Sequence, residues 1–331
     1  MSLALLVVGG GSIGERHVRS FRDIGCEVAL CEPNAARRQE VAERYQLTQV
    51  CATVEEAARA QWHGIVITTP AHLHVEHALG LAASTSALLI EKPLCLTRED
   101  VQRLRTIDAR MVVQVAYVLR VHPATQRIHG LLADNEIGRL HQITVTAGQH
   151  FPTFRPAYRE IYYARRETGG GAVQDAATHL FDLVQYLAGP LDWVFCDCAH
   201  QSLPGVEVED TVHLTARAGG GQTLVSLALN QFMAPNETHV QLNGELGSLG
   251  IRFHEQRAGI FLHGDPEWTW TEPLVLERDD LFRAQAQAFL DAAVGQRAPL
   301  ATLEDGARAL AVNLAALESA ERRTVVEVRP L

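Results

Sequence analysis

The chain contains a single lysine. Of its 29 Lys plus Arg residues every one but Lys92 is an arginine, and Lys92 follows the apolar run Ala87-Leu88-Leu89-Ile90 in Glu91-Lys92-Pro93. A guanidinium serves wherever a fixed positive charge is enough, whereas an ammonium offers a compact donor with a readily shifted pKa. Arginine everywhere else marks Lys92 as a residue kept for chemistry. A second constellation lies far along the chain, where Gly169-Gly170-Gly171 precedes Asp175-Ala-Ala-Thr-His179. On a helix, Asp175, His179, Asp182 and Tyr186 share one stripe beside an apolar stripe of Ala176, Leu180, Leu183, Val184 and Leu187. A carboxylate four residues before a histidine orients the ring and supports its charged form, as a general acid or base requires. The plain alternative is an ion pair on a helix surface.

A third constellation opens the chain. Gly9-x-Gly11-x-x-Gly14 follows the apolar run Leu3 to Val8 and, with Ser12 and Ile13, begins a helix. Glycines there allow a tight turn and bring backbone N–H groups up to a pyrophosphate at the positive end of the helix. Glu32 ends the next strand, where its carboxylate can accept hydrogen bonds from both ribose hydroxyls. That choice favours NAD, because a 2′-phosphate would be repelled. Arg37 or Arg38 leaves NADP open, unless the two only line a solvated helix face. Thr68-Thr69-Pro70 stands at the carboxyl end of another strand, the edge at which open parallel sheets take their ligands. His72, His74 and His77 follow, but no carboxylate or cysteine completes a metal set beside them. The expectation is a His74 that lines the cofactor site and no metal.

These groups need a frame, and the first third of the chain alternates strand and helix signals at regular intervals. Strands are expected at Leu3 to Val8, Val28 to Cys31, Ile65 to Thr68, Ala87 to Ile90 and Val112 to Ala116, with helices between them capped by Asn34, Thr53 and Thr97. Such repetition implies a doubly wound parallel sheet. After residue 119 the pattern changes to alternating strands, two interrupting helices near Pro123 to Ala133 and Ala172 to Leu187, and two closing helices near Leu281 to Val294 and Leu303 to Glu321. Val212, Leu214 and Ala216 point one way and His213, Thr215 and Arg217 the other, so that strand has one wet face. The fold class is therefore α/β: a Rossmann domain over residues 1–119, then an α+β domain with a large, mostly antiparallel open-faced sheet over residues 120–331.

Composition bounds the partners. Of 331 residues 47% are hydrophobic and 21% charged, as in an ordinary globular protein, and the formal net charge is -10. That balance argues against nucleic acid and anionic membrane, which are bound through excess positive charge. No apolar run reaches the length of a membrane span or carries the flanks of a signal peptide, so a cytoplasmic protein is expected. Six scattered cysteines without a CxxC pair read as reduced packing thiols.

Taken together, Gly-Gly-Gly-Ser-Ile-Gly14, Thr69-Pro70-Ala-His-Leu-His74, Glu91-Lys92-Pro93, Arg120-Val-His122-Pro123, Gly169-Gly-Gly-x-x-x-Asp175-x-x-x-His179 and Val208-Glu209-Asp210 resemble the glucose-fructose oxidoreductase, myo-inositol dehydrogenase and MocA superfamily. The resemblance covers nearly the whole chain. It implies an NAD(P)-dependent oxidoreductase acting on a hydroxyl-bearing carbon of a sugar, polyol, sugar acid or sugar nucleotide, with the active site between the two domains. It matches Lys92, Asp175 and His179 to the catalytic positions: Lys92 polarises the reacting hydroxyl, His179 is the general acid or base, and Asp175 orients it. In some members the lysine carries the proton. Tyr117 and Glu91 match cofactor-bordering positions and His122 a substrate-bordering one. Val118 and Ala71 depart from the family, standing where Asn or Arg and Asn, respectively, are common.

The segment from Phe154-Arg155-Pro156-Ala-Tyr158 through Tyr162-Tyr163-Ala-Arg165 is basic and aromatic in an acidic chain. Arg155, Tyr158 and Arg165 are expected on the substrate side, since guanidinium forks suit anionic or hydroxyl-rich groups. Otherwise the arginines pair with Glu160 and Glu167. Two readings compete with a dehydrogenase: an NAD-dependent glycosidase with transient redox, and a non-catalytic sensor of NAD(P) and sugar. The resemblance also implies a homodimer or homotetramer.

Overall fold

The computed structural model describes residues 3–331. They divide into two compact units, one running to Val118 and resuming over Glu277–Ala307 and at Leu331, the other comprising Leu119–Leu276 and Arg308–Pro330. A single break after residue 119 is thus corrected, because the chain returns to the first unit.

In the first unit β1 (Ala4–Val8), β2 (Glu27–Cys31), β3 (Val50–Cys51), β4 (Gly64–Ile67), β5 (Ala87–Ile90) and β6 (Val112–Val115) form a six-stranded sheet in the order β3-β2-β1-β4-β5-β6. Every pairing is parallel. β4 and β5 are buried at every residue, as strands covered on both faces must be. Between strands lie α1 (Ser12–Asp23), α2 (Ala35–Tyr45), α3 (Val54–Ala57), α4 (His74–Leu81) and α5 (Arg98–Leu104). The expected caps form: Asn34 accepts from the Arg37 N–H, Thr53 from Glu56 and Thr97 from Asp100, each bond replacing one that the helix start lacks.

The returning segment completes this unit's core. Ala286, Phe289 and Leu290 pack with Leu5, Phe21, Val66 and Leu89, and the Phe289 ring lies so close over Gly64 that a Cβ there would meet it at 2.8 Å. The start of the segment is pinned to α1, since Asp279 accepts from Arg16 at 2.7 Å and from Arg19 at 2.6 Å. Burial works against that carboxylate, but the two guanidinium groups hold its pKa below the ordinary value.

The second unit is built on α6 (Pro123–Ala133), β7 (Leu140–Gly148), α7 (Phe151–Phe154), α8 (Thr178–Ala188), β8 (Leu191–Ala199), β9 (Thr211–Ala218), β10 (Thr223–Asn230), β11 (Glu237–Gly244), β12 (Gly247–Arg252), β13 (Arg257–Leu262) and β14 (Thr269–Trp270). The remaining elements are α9 (Asp280–Ala293), α10 (Leu303–Arg322) and β15 (Val326–Glu327). Nine strands run in the order β14-β13-β12-β11-β7-β10-β9-β8-β15, and only the β7–β10 pairing is parallel. One face carries Ile143, Val145, Val212, Leu214, Val225, Leu227, Val240 and Leu242 into a core shared with Ile128 of α6 and Phe181, Leu183 and Val184 of α8. The other face presents His213, Thr215 and Gln241 to solvent. No helix among the described residues is long and apolar enough to cross a membrane.

Candidate active site

The carboxyl ends of β1, β2, β4 and β5 gather the nucleotide-site candidates of the first unit. Gly9 adopts φ +101°, and a Cβ on Gly14 would stand 1.9 Å from the Gly9 carbonyl oxygen, so neither position admits a side chain. A Cβ on Gly11 would meet nothing within 4 Å. Gly11 and Ser12 are exposed, and α1 begins there without a side-chain cap. This start leaves backbone N–H groups and room for a pyrophosphate. The Thr68 hydroxyl lies 2.9 Å from the carbonyl oxygens of both Val8 and Gly9, tying β4 to the glycine turn. Pro70 is exposed just beyond.

Glu32 directly follows β2, and its carboxylate accepts from Gly10 N–H at 2.6 Å and from Asn34 N–H at 2.8 Å. The adjacent arginines have partners already. Arg37 donates to the Gly10 carbonyl at 2.6 Å, to Glu15 at 2.6 Å and to Glu40 at 2.8 Å, while Arg38 donates to the Glu32 carbonyl at 2.5 Å. Glycine turn, exposed helix start and carboxylate fit a dinucleotide with an unphosphorylated ribose.

Lys92 is half-buried at the end of β5, before a cis Lys92–Pro93 peptide. Two histidines hold its neighbours. Glu91 is buried, with Oε1 2.8 Å from Nε2 of His17 on α1 and Oε2 accepting from the Lys92 N–H at 3.1 Å. His74 places Nε2 2.8 Å from the Thr69 carbonyl oxygen and Nδ1 3.0 Å from that of Pro93. Burial lowers the His74 pKa, against the upward pull of those carbonyls and of Glu91. His74 is 1% exposed and reaches the site through these loop carbonyls. It clamps the loops after β4 and β5 together from below. His77 turns to the Thr69 hydroxyl at 3.0 Å, so its ring and that of His74 serve different partners. Tyr117, expected at the cofactor, is wholly buried as well.

In the second unit Gly169 takes φ +90°, and Gly170 and Gly171 are sterically required. A Cβ on Gly170 would stand 2.2 Å from the Tyr163 carbonyl oxygen, and one on Gly171, at φ +93°, 2.4 Å from Glu209 Oε1. Glu209 receives the helix start, accepting from Val173 N–H at 3.1 Å through its side chain and from Ala172 N–H at 2.8 Å through its carbonyl. The next turn is not α-helical. Val173–Ala177 is a π-helical turn that carries Asp175, and His179 follows in the first turn of α8. Single π turns of this kind are frequent at functional sites.

The stripe expected from sequence therefore splits in two. Asp175 is buried and accepts from the Tyr162 hydroxyl at 2.6 Å, with the Arg155 guanidinium close enough that Asp175 raises its pKa. Asp182 instead takes a bidentate pair with buried Arg120, at 2.6 and 2.9 Å, and Tyr186 stacks on His129 with ring centroids 4.4 Å apart. Asp182 ties α8 to the turn before α6, and Tyr186 ties it to α6 itself. His122 caps α6, accepting from Ala124 N–H at 3.1 Å, and burial pushes its pKa down to about 4. The Tyr158 hydroxyl donates to the Pro204 carbonyl at 2.9 Å and its ring packs against Phe151 and Tyr163. Arg165 is exposed.

Sequence reasoning passed over His17 and Tyr162 as site residues. His17 left a signal, a polar residue on the buried stripe of α1 with Gly14, Val18 and Phe21.

Fold and residues together define a dinucleotide-binding oxidoreductase, and comparison with known proteins gives the family. Residues 3–118 match the model described as "Oxidoreductase family, NAD-binding Rossmann fold", and residues 125–250 match the GFO/IDH/MocA C-terminal domain. The chain belongs to the Gfo/Idh/MocA family of NAD-binding oxidoreductases. It is similar to the rhizopine catabolism protein MocA of Rhizobium meliloti, 27% identical over 96% of this chain and 94% of that protein. It is also similar to 1,5-anhydro-D-fructose reductase of Ensifer adhaerens, 26% identical over 97% of each. A levoglucosan dehydrogenase solved with NADH and levoglucosan shares the fold, with TM-score 0.90 at 20% identity over 99% of this chain and 100% of that one.

Proposed function

We propose that this protein is an NAD-dependent dehydrogenase that interconverts a secondary alcohol and a ketone on an uncharged sugar or polyol. The observation that carries the reading is the single lysine, held at the carboxyl edge of the parallel sheet by Glu91 with His17 and by the His74 clamp beside it. In this reading the Lys92 ammonium donates to the oxygen of the reacting hydroxyl and stabilises the charge that develops on it. His179 accepts the hydroxyl proton, and Asp175, fixed by Tyr162, supports the charge that His179 gains. Bound NAD supplies the hydride acceptor.

Two further observations narrow the reading. Arg37 would have to leave Glu15 and Glu40 to grip a 2′-phosphate, and Glu32 would repel one, which favours NAD over NADP. Arg155 already faces a carboxylate, Asp175, so the basic segment is better matched to hydroxyls than to a second anion. The family resemblance and the wet sheet face support a homodimer or homotetramer, which light scattering on the purified chain measures directly. The six unpaired cysteines suit a reducing, cytoplasmic location.

The test is a screen of neutral sugars, polyols, sugar acids and sugar nucleotides with NAD and NADP, read at the absorbance of reduced nicotinamide. Net reduction with a neutral polyol or sugar is the expected result. Glycoside cleavage without net reduction would replace the reading with a glycosidase. Sugar and NAD binding that is equal in wild type and Lys92→Met, with no turnover in either, would replace it with a sensor.

A further inference from the structure

We infer that Glu237, His239 and His254 form a binding site for a first-row divalent transition metal on the open face of the nine-stranded sheet, a site independent of the nucleotide chemistry. Glu237 and His239 stand two residues apart on β11, so both project from one face, opposite buried Val240 and Leu242. β12 runs antiparallel beside them with Arg252 opposite His239. The tight turn Phe253–Glu255 then carries His254 to the same place. That turn is fixed: Gln256 closes it at φ +55°, its carbonyl and side-chain oxygens accept from Leu274 and Leu276, and Phe253 meets the His122 ring edge-on at 4.8 Å.

One ligand atom from each of the three side chains lies within 4.8 Å of the others, and Glu237 Oε2 is 3.5 Å from His239 Nε2. Ligands about 2.1 Å from a tetrahedral zinc lie roughly 3.4 Å from one another, so that pair already has metal-bridging separation. The two imidazoles sit with centroids 4.4 Å apart at 60°, one ring's edge toward the other. The nearby guanidinium does not neutralise the cluster. Arg252 is directed to Glu255 at 3.1 Å and lies over the Trp270 ring at 4.4 Å. Glu255 is also 3.6 Å from His254 Nε2, where an outer carboxylate can orient a ligating ring. Two imidazoles and one carboxylate suit Zn2+, Co2+ or Ni2+ and not Mg2+ or Ca2+, which require oxygen ligands. Because the ligands come from β11 and from the turn after β12, a bound ion clips the two together.

The full-length protein, stripped with chelator and dialysed, is titrated with Co2+ and read by its visible absorption, then challenged with Zn2+ and with excess Mg2+. The expected result is one equivalent of Co2+ with a tetrahedral-type spectrum, displaced by Zn2+ and not by Mg2+, and a rise in melting temperature with Zn2+. His239→Gln/His254→Gln, and separately Glu237→Gln, should lose that spectrum and that rise, whereas His213→Gln on the same face of β9 keeps both. Circular dichroism of the metal-free variants checks that they fold. Failure of the wild type to take up Co2+, equal uptake by His239→Gln/His254→Gln, or displacement by Mg2+ would each overturn the inference. Dehydrogenase activity is not the readout, so the two proposals stand or fall separately.

Discussion

At the scale of single residues the proposed chemistry depends on Lys92 being an ammonium. Lys92→Arg keeps the charge but not the compact donor, and turnover is expected to fall at least about 100-fold, the effect of losing one preorganised donor at a developing oxyanion. Near-normal kcat in that variant would mean that charge alone matters. In the proposed function Glu32 selects the cofactor: Glu32→Ser should lower kcat/KM for NAD by at least about 10-fold relative to NADP, since a hydrogen bond to a charged group is lost. Unchanged discrimination between the two cofactors would remove its assigned role. His122 predicts acid sensitivity. Burial holds its folded pKa at about 4 against an ordinary 6.5, so the unfolded chain binds the proton first. Stability present above pH 6.5 is lost as pH falls toward about 4, by roughly 3 kcal/mol. Asn caps a helix and does not titrate, so denaturant midpoints of His122→Asn should lose much of that slope. Residue type alone pointed to Lys92, Glu32, Asp175 and His179. It did not separate Tyr162, bonded to Asp175, from Tyr158, a core ring, because the two differ only in which way the segment turns.

At the scale of elements the active groups are held by links between strand ends and helices. His74 joins the loops after β4 and β5, and His17 joins α1 to Glu91. His74→Ala leaves whichever of the Thr69 and Pro93 carbonyls the ring N–H serves without that donor, which costs about 1–3 kcal/mol of stability. It also frees the peptide next to Lys92. Turnover per folded molecule should therefore fall by more than the loss of folded protein explains, and full turnover at a lowered melting temperature would make the clamp merely structural. Gly171→Ala should be more damaging to folding, because it sets a side chain at φ +93° against Glu209, the group that receives the helix start. The alternating elements and their caps were legible because propensity, capping and period are local properties. The π turn was not, since its i to i+5 pattern is imposed where Glu209 grips Ala172 and Val173, two residues before Asp175.

At the scale of the whole molecule the first unit is not a contiguous stretch of sequence. A chain ending at residue 276 would lack Phe289, Leu290 and the Asp279 anchor of Arg16 and Arg19. Its first unit should lose cooperative unfolding and expose apolar surface to a hydrophobic dye, and a sharp transition at the wild-type temperature would show that α9 is dispensable. By itself the sequence determined the strand and helix periods, the glycine turn followed by Glu32, the singular lysine, the spacing of Asp175 and His179 and the family, all carried by residue type and short spacing. Only the tertiary structure decided which of those groups touch. It tied Glu91 to His17, turned His74 and Tyr158 inward, divided Asp175 from Asp182, and brought His254 beside Glu237 and His239. Each of these contacts joins side chains through strand pairing, a turn or helix packing, and burial chooses their directions; no local pattern along the chain encodes that choice.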